Sequence, residues 1–305
     1  MRPRFARGGR SSAVLLLTMC TAFWAGNTVV GKVAAGYVPP FSLSFWRWVV
    51  ALAVILPFGW RALALERRWY MRHWRFVFLL ALLSVACYNT FQYWALNWTS
   101  AINVGVITAI LPILIFSLTW FLGHERATGY QVAGVVVSVL GVGVVVCRGD
   151  LTILVQLQFS IGDGLILIAV SSWAVYSVLL KKLPSTLNSV GLLTALILFG
   201  LIGMLPLLVW DIAHGQYFKL DTNTGIILLY VGIFPSVLAF LFWNRAVEIG
   251  GANLAGVLNN LIPIFATALA VVFLGEELHS FHVLGIGLIF VGIYLATLRP
   301  ASTAS

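Results

Sequence analysis

The chain has 305 residues, 61% of them hydrophobic and 9% charged, with a mean hydropathy of +1.01. No soluble domain hides that much apolar surface, so lipid is the solvent for most of it. A net charge of +9 would suggest nucleic acid as partner of a soluble protein, but here the basic residues fall between apolar runs and read as membrane topology instead.

Ten apolar runs are long enough for membrane helices: Ala13–Val33, Phe41–Gly59, Arg75–Ala95, Ile102–Gly123, Tyr130–Cys147, Gly162–Lys181, Val190–Trp210, Thr224–Val247, Ala252–Leu274 and Phe281–Leu298. The first follows a basic segment and has the outline of a secretory signal. It is about 20 residues long, enough for ~30 Å of hydrocarbon, contains Lys32 and lacks a small-residue cleavage site, so it is read as a membrane helix. The linkers are short and leave no room for an inserted soluble domain. Fourteen of the eighteen basic residues, from Arg2 to Arg10, Arg61 to Arg75, Arg126, Lys181, Lys182, Arg245 and Arg299, fall on one side of such a bundle. Lys32, Arg47, Arg148 and Lys219 fall on the other side, and the asymmetry places both termini in the cytoplasm.

The chain is also a duplication. Pro112 matches Pro263, Gly123-His124-Glu125 matches Gly275-Glu276-Glu277, Gly134 matches Gly285 and Gly141 matches Gly292, at an offset of 151 or 152 residues. At the start of each half Trp24 and Lys32 match Trp173 and Lys181 at an offset of 149. Five helices per copy is an odd number, so the second copy enters the membrane inverted. The expected organisation is a basic segment over residues 1–12, a first repeat over 13–147, a connection over 148–161, a second repeat over 162–298 and a tail over 299–305. The fold class is thus an all-α integral membrane protein of two inverted five-helix repeats, the construction of many secondary transporters.

The residues that carry the duplication resemble the EamA-type branch of the drug/metabolite transporter superfamily. The matching stretches are AFWAGNTVVGKVA, PPFSLSFWRWVVAL and ALNWTSAINVGVITAILPILIFSLTWFLGHE in the first half. In the second they are SSWAVYSVLLKKL and ANLAGVLNNLIPIFATALAVVFLGEELHSFHVLGIGLIFVGIYL. The resemblance covers nearly the whole chain and implies ten helices in an inverted repeat that export small metabolites or amino acids by alternating access. The aromatic content is similar to that of bacterial exporters of aromatic amino acids. The first half departs from the family's usual Gly-Glu, reading Gly123-His124-Glu125, whereas the second keeps Gly275-Glu276.

All nine acidic residues fall in loops or at helix ends, as do the five histidines. A carboxylate in mid-membrane is the default proton relay, and its absence points to facilitated diffusion or exchange. The midspans hold rings and amides instead. Helix 1 offers Trp24, Asn27 and Thr28; helix 3 offers Tyr88 and Gln92 one turn apart; helix 6 offers Trp173, Tyr176 and Ser177; helices 8 and 9 add Trp243, Asn244, Asn259 and Asn260. The candidate substrate-binding set is Trp24, Asn27, Tyr88, Gln92, Trp173, Tyr176 and Asn259, with Asn244 and Asn260 read equally as ties between helices. Uncharged donors with flat apolar walls suit a zwitterion with a bulky side chain. A sugar phosphate would want Arg or Lys at that depth. Lys32 and Arg47 are placed near the outer helix ends and read first as snorkelling to the headgroups, second as a contact for a substrate carboxylate. Pro112 and Pro263 are candidate hinges. Gly134, Gly141 and Gly143, with their mates on helix 10, form a face for close helix packing.

The expected function is transport of small amphipathic metabolites, foremost amino acids including aromatic ones, across the inner (plasma) membrane. The alternative is multidrug or nucleotide-sugar-like transport. Nothing in the sequence has the spacing of a catalytic triad, a metal site or a phosphate-binding loop, so no enzyme, metal or cofactor is expected. The three cysteines are read as packing residues. The expected partners are the substrate and the bilayer, not nucleic acid, with the chain as monomer or homodimer.

Overall fold

A computed structural model describes residues 7–34, 38–95, 98, 107–108, 110–121, 128–146, 149–150, 152, 161–274 and 279–297. The Gly-x-Glu blocks at 123–125 and 275–277, Cys147, Arg148 and most of the connection between the repeats lie outside the described residues, as do the side chains of Thr28, Lys32 and Asp163. Among the described residues every regular element is a helix. In chain order they are α1 (Arg7–Ala34), α2 (Pro40–Leu65), α3 (Trp74–Ala95), α4 (Leu111–Phe121), α5 (Gly129–Val146), α6 (Ile161–Leu179), α7 (Ser189–Ala213), α8 (Thr222–Gly250), α9 (Ala252–Asn259 continued by Ile262–Leu274) and α10 (Ser280–Thr297). A short helix, Arg67–Arg72, joins α2 to α3. Six of these (α1, α2, α3, α6, α7 and α8) are long and apolar enough to cross a membrane, and shorter apolar stretches occupy Gly129–Gly141, Ala252–Ala266 and Val283–Ala296.

The helices run a few residues past their apolar cores, because helical propensity continues through flanking polar residues where hydropathy has already fallen. So α1 begins at Arg7, inside the segment expected to be a basic tail, and α2 continues to Leu65. The starts are set locally. Pro40 occupies the first turn of α2, where its missing N–H costs nothing. Asn188 caps α7 by accepting from the N–H groups of Val190 and Gly191 at 2.9 and 3.1 Å. Asp221 and Thr224 form a reciprocal capping box on α8, which ends at Gly251 with a φ of 89° that only glycine adopts without strain. Hydrogen bonds from Thr224 hold the exposed Asp221 carboxyl below the usual range.

Helix α3 and helix α8 each contain one π-helical turn, Leu82–Cys87 and Phe234–Leu238. The two turns occupy matching places in the repeats, where Ser84-Val85 aligns with Ser236-Val237. In α8 the cause is visible: Pro235 has no N–H to give the ladder, and the Ser236 hydroxyl donates instead to the Val231 carbonyl at 2.6 Å. In α3 the Ser84 hydroxyl donates to the Leu80 carbonyl at 2.7 Å.

Packing occurs in matched pairs. α1 lies on the second half of α8 and on α9, while its repeat mate α6 lies on the second half of α3 and on α4. Two pairs of repeat mates pack directly on each other, α2 on α7 and α5 on α10. Both pairs are antiparallel. Glu66, at the end of α2, accepts from the Asn188 N–H at the start of α7, at 2.8 Å. Asp211, near the end of α7, accepts from the N–H and hydroxyl of Ser42 at the start of α2, at 2.8 and 2.9 Å. Each mate thus sets a carboxylate against the positive end of the other's dipole.

In α5 and α10 the glycines let two backbones touch. A Cβ on Gly141 would stand 2.7 Å from the Gly285 carbonyl oxygen, and one on Gly134 would stand 2.6 Å from the Ala296 nitrogen. Gly143, expected on this face, is not part of it, since a Cβ there would meet nothing within 4 Å. The outer faces carry exposed apolar side chains such as Phe58, Ile202, Phe273 and Phe290, which suits lipid contact.

Two outcomes follow from these contacts. Gly141→Leu forces α5 and α10 apart and lowers the melting temperature of the detergent-purified protein, by the ~1–3 kcal/mol typical of overpacking, whereas Gly143→Leu leaves it unchanged. Asp211→Ala strips Ser42 of its acceptor and lowers the melting temperature by the equivalent of about 1–2 kcal/mol.

Candidate functional site

The interior where α1, α2, α3, α6 and α8 meet is built from rings. Trp173 on α6 is 2% exposed and touches Trp24 (5.2 Å between centroids, edge on), Tyr88 (5.0 Å), Tyr176 (5.2 Å), Phe240 (5.0 Å) and Trp243 (5.6 Å). Trp24 and Trp173 are repeat mates, and so are Tyr88 and Phe240 at an offset of 152. The cluster therefore sits where the two repeats meet. Trp48 on α2 extends it by an edge contact with Phe240 at 5.0 Å. Edge-to-face and tilted ring pairs of this kind contribute about 0.5–1.5 kcal/mol each beyond their burial.

A cavity of about 250 Å³ opens beside the end of α6 and the last turns of α8, lined by Lys181, Ser185, Leu192, Asn244 and Glu248 among others. Small-molecule pockets are commonly about 300–1,000 Å³, so this one lies just under that range. Asn244 lies between cavity and rings. It is 5% exposed, its Oδ1 accepts from the Tyr176 hydroxyl at 2.5 Å, and its Nδ2 has no partner among the described residues. The indole N–H groups of Trp48 and Trp243 are likewise buried without an acceptor among the described residues. Asn244 thus links the cavity wall, through its bond to Tyr176, to the ring cluster around Trp173.

Of the predicted site residues, Trp24, Tyr88, Trp173 and Tyr176 converge in this cluster. Asn27 belongs to a neighbouring polar network, where its Oδ1 accepts from the Tyr93 hydroxyl at 3.3 Å. Gln92 is half-buried on α3, and Asn259 is buried at the break of α9; no hydrogen bond among the described residues ties either to the rings. Pro263 follows that break directly. Pro112 holds the matching place in α4, and the i to i−3 bond of Leu261 to Leu258 recurs as Ile110 to Ile107. Both prolines thus follow a tightened turn where the helix ladder is already altered.

The structure corrects the reading of Arg47. Its position is not an interfacial end from which the side chain snorkels. It stands seven residues into α2, about 10 Å along the axis, and is 1% exposed. Its Nε donates to Ser236 Oγ at 2.8 Å, and Nη1 donates to Asn89 Oδ1 at 3.1 Å and to the Tyr93 hydroxyl at 2.6 Å. Insertion scales put a basic group at mid-helix about 2.5–3.5 kcal/mol uphill, which hydrogen bonds to three neutral groups offset. A deep basic residue is therefore present, and sugar phosphates are not ruled out for want of one. The signal in the sequence was the face of α2: Ser44, Arg47 and Ala51 share one side and are all buried, at 0, 1 and 0% exposure. Asn89, Tyr93 and Ser236 carried no comparable signal, because their roles depend on the π-turns.

The profile of the EamA-like transporter family matches residues 11–147 and 160–298. The chain is 29% identical to an uncharacterized transporter of Archaeoglobus fulgidus, over 95% of this chain and 98% of the relative. It is 25% identical to the uncharacterized transporter YetK of Bacillus subtilis, over 94% and 87% of the two chains. A solved crystal structure, 22% identical, superposes with a TM-score of 0.77 over 94% of this chain and 98% of that one, and shares its fold. With a family match in both halves and an apolar all-helical fold, the chain belongs to the EamA-like transporter family and is a multi-pass membrane transporter, not an enzyme.

Proposed function

We propose that the protein is a secondary transporter of small amphipathic metabolites, foremost amino acids with aromatic or large apolar side chains, working by alternating access. Ten helices cross the inner (plasma) membrane as two inverted repeats with both termini cytoplasmic. The antiparallel packing of α2 on α7 and of α5 on α10 supports the inversion. With that orientation the cavity beside Lys181 opens to the cytoplasm.

The observation that carries the substrate reading is the ring cluster at the meeting of the repeats. Trp24, Trp173 and Trp243 pack together at that meeting, and flat rings beside the unused N–H donors of Trp243 and Trp48 suit an apolar side chain and a polar group together. Rocking of the halves separates Trp24 from Trp173, and the altered turns before Pro112 and Pro263 absorb the motion. The described carboxylates sit at helix ends or in loops, in caps and ion pairs, and the mechanism uses none of them as a proton relay.

The test is uptake of labelled phenylalanine and tryptophan into liposomes holding the purified protein. Uptake is expected to be indifferent to a pH gradient. Tyr88→Ala should slow it about tenfold, the equivalent of one lost aromatic contact, and Trp173→Ala, which removes five, by at least as much. Failure of folded protein to move any amino acid overturns the substrate class, and accumulation driven by the gradient overturns the uncoupled mechanism.

A further inference from the structure

We infer that the Arg47 guanidinium is the docking point for a carboxylate of the transported molecule, which limits the substrates to amino acids and related small organic acids. The inference rests on the reading of the protein as a transporter and narrows its substrate.

A guanidinium keeps its charge at any physiological pH, so Arg47, 1% exposed, is a permanent cation inside the bundle. A buried cation calls for an anion. Each described carboxylate whose bonds are known is engaged elsewhere: Glu66 with Asn188 and Tyr70, Asp211 with Ser42, Asp221 with Thr224, and Glu248 with Arg245. Asp150 accepts from Thr152 in the connection between the repeats. Around Arg47 stand neutral groups, and they hold the guanidinium without neutralising it. Its Nε and Nη1 donors are used, while Nη2 bonds to no described residue. The fork that pairs with a carboxylate is therefore half free, and its held half fixes the plane.

The surroundings supply the rest of the substrate's outline. The guanidinium carbon lies 5.5 Å from the Trp48 ring and 5.9 Å from the Tyr93 ring. Trp48 meets Phe240, and Phe240 meets Trp173, so the cation borders the aromatic cluster directly. A carboxylate on Arg47 would leave an apolar side chain of the same molecule among the rings. One guanidinium balances one carboxylate, whereas a phosphate or diphosphate would leave surplus negative charge among neutral groups. Because Arg47 bonds to Ser236 of the other repeat, a ligand here would sit at the boundary between the halves.

The test is affinity and thermal stabilisation of purified wild-type protein, Arg47→Gln and Arg47→Lys, with five probes. These are phenylalanine, 3-phenylpropionate, phenylalaninamide, phenethylamine and inorganic phosphate. Wild type should bind the two carboxylates at least about a hundredfold more tightly than the amide or the amine, the scale of discrimination when a buried polar group is left unpaired. Arg47→Gln should erase that preference and Arg47→Lys keep part of it. If Arg47→Gln fails to fold, the wild-type series and Arg47→Lys decide. Equal binding of the amide or the amine, binding of neither carboxylate, unchanged preference in Arg47→Gln, or phosphate binding as tight as the carboxylates each overturn the inference. Binding of 3-phenylpropionate without phenylalanine would keep Arg47 as the anchor and remove the amino acid reading. Transport of phenylalanine alongside equal affinity for its amide would do the reverse.

Discussion

In a chain as apolar outside as inside, hydrophobic burial cannot choose which helices meet. Lipid is as good a solvent for leucine as another helix is. The choice falls to contacts that lipid cannot offer: backbone against backbone at Gly134, Gly141, Gly285 and Gly292, and carboxylate against helix start at Ser42–Asp211 and Glu66–Asn188. All of these join one repeat to the other. The halves are therefore held along two seams, α5 with α10 and α2 with α7, and the space between the seams is left to the rings.

That space differs in character from the seams. The seams use small residues and matched polar ends, which tolerate little change in separation. The interior between them uses wide rings whose contacts are weak one at a time, together with polar atoms that have spare bonding capacity: the Asn244 amide, the indoles of Trp48 and Trp243, and half of the Arg47 fork. In the proposed cycle the seams keep their separation while the halves rock about them, and an adaptable, incompletely bonded centre can bind and then release.

Much of this was legible from residue order alone. The duplication, the glycine seam and the midspan rings Trp24, Tyr88, Trp173 and Tyr176 need only spacing and composition to be found. Gly143 was misread because glycine spacing does not say which side a helix turns to its neighbour. Arg47 reads as snorkelling because, six residues into the run Phe41–Gly59, its long side chain could reach the headgroups, whereas three neutral hydrogen-bond partners from two other helices hold it inside the bundle. Such partners come from residues 42 to 189 positions away in sequence, and no local pattern reports them. The seam carboxylates escaped for the same reason: Asp211 reads as a loop-side charge until Ser42 is seen beside it.

The paired π-turns carry a consequence for how either helix is read. A π-turn fits one extra residue into the helix, which advances the phase of everything beyond it by about 100°. A helical wheel drawn at uniform pitch from Trp74 or from Thr222 therefore assigns the wrong bearing to Tyr88–Ala95 and to Ala239–Gly250. Those are the segments that carry Asn89 and Tyr93 on one side and Phe240, Trp243 and Asn244 on the other. The inward bearing of the centre is thus encoded as a phase slip, duplicated with the repeat. Closing that slip by one residue would swing the same side chains by about 100° away from their present bearing.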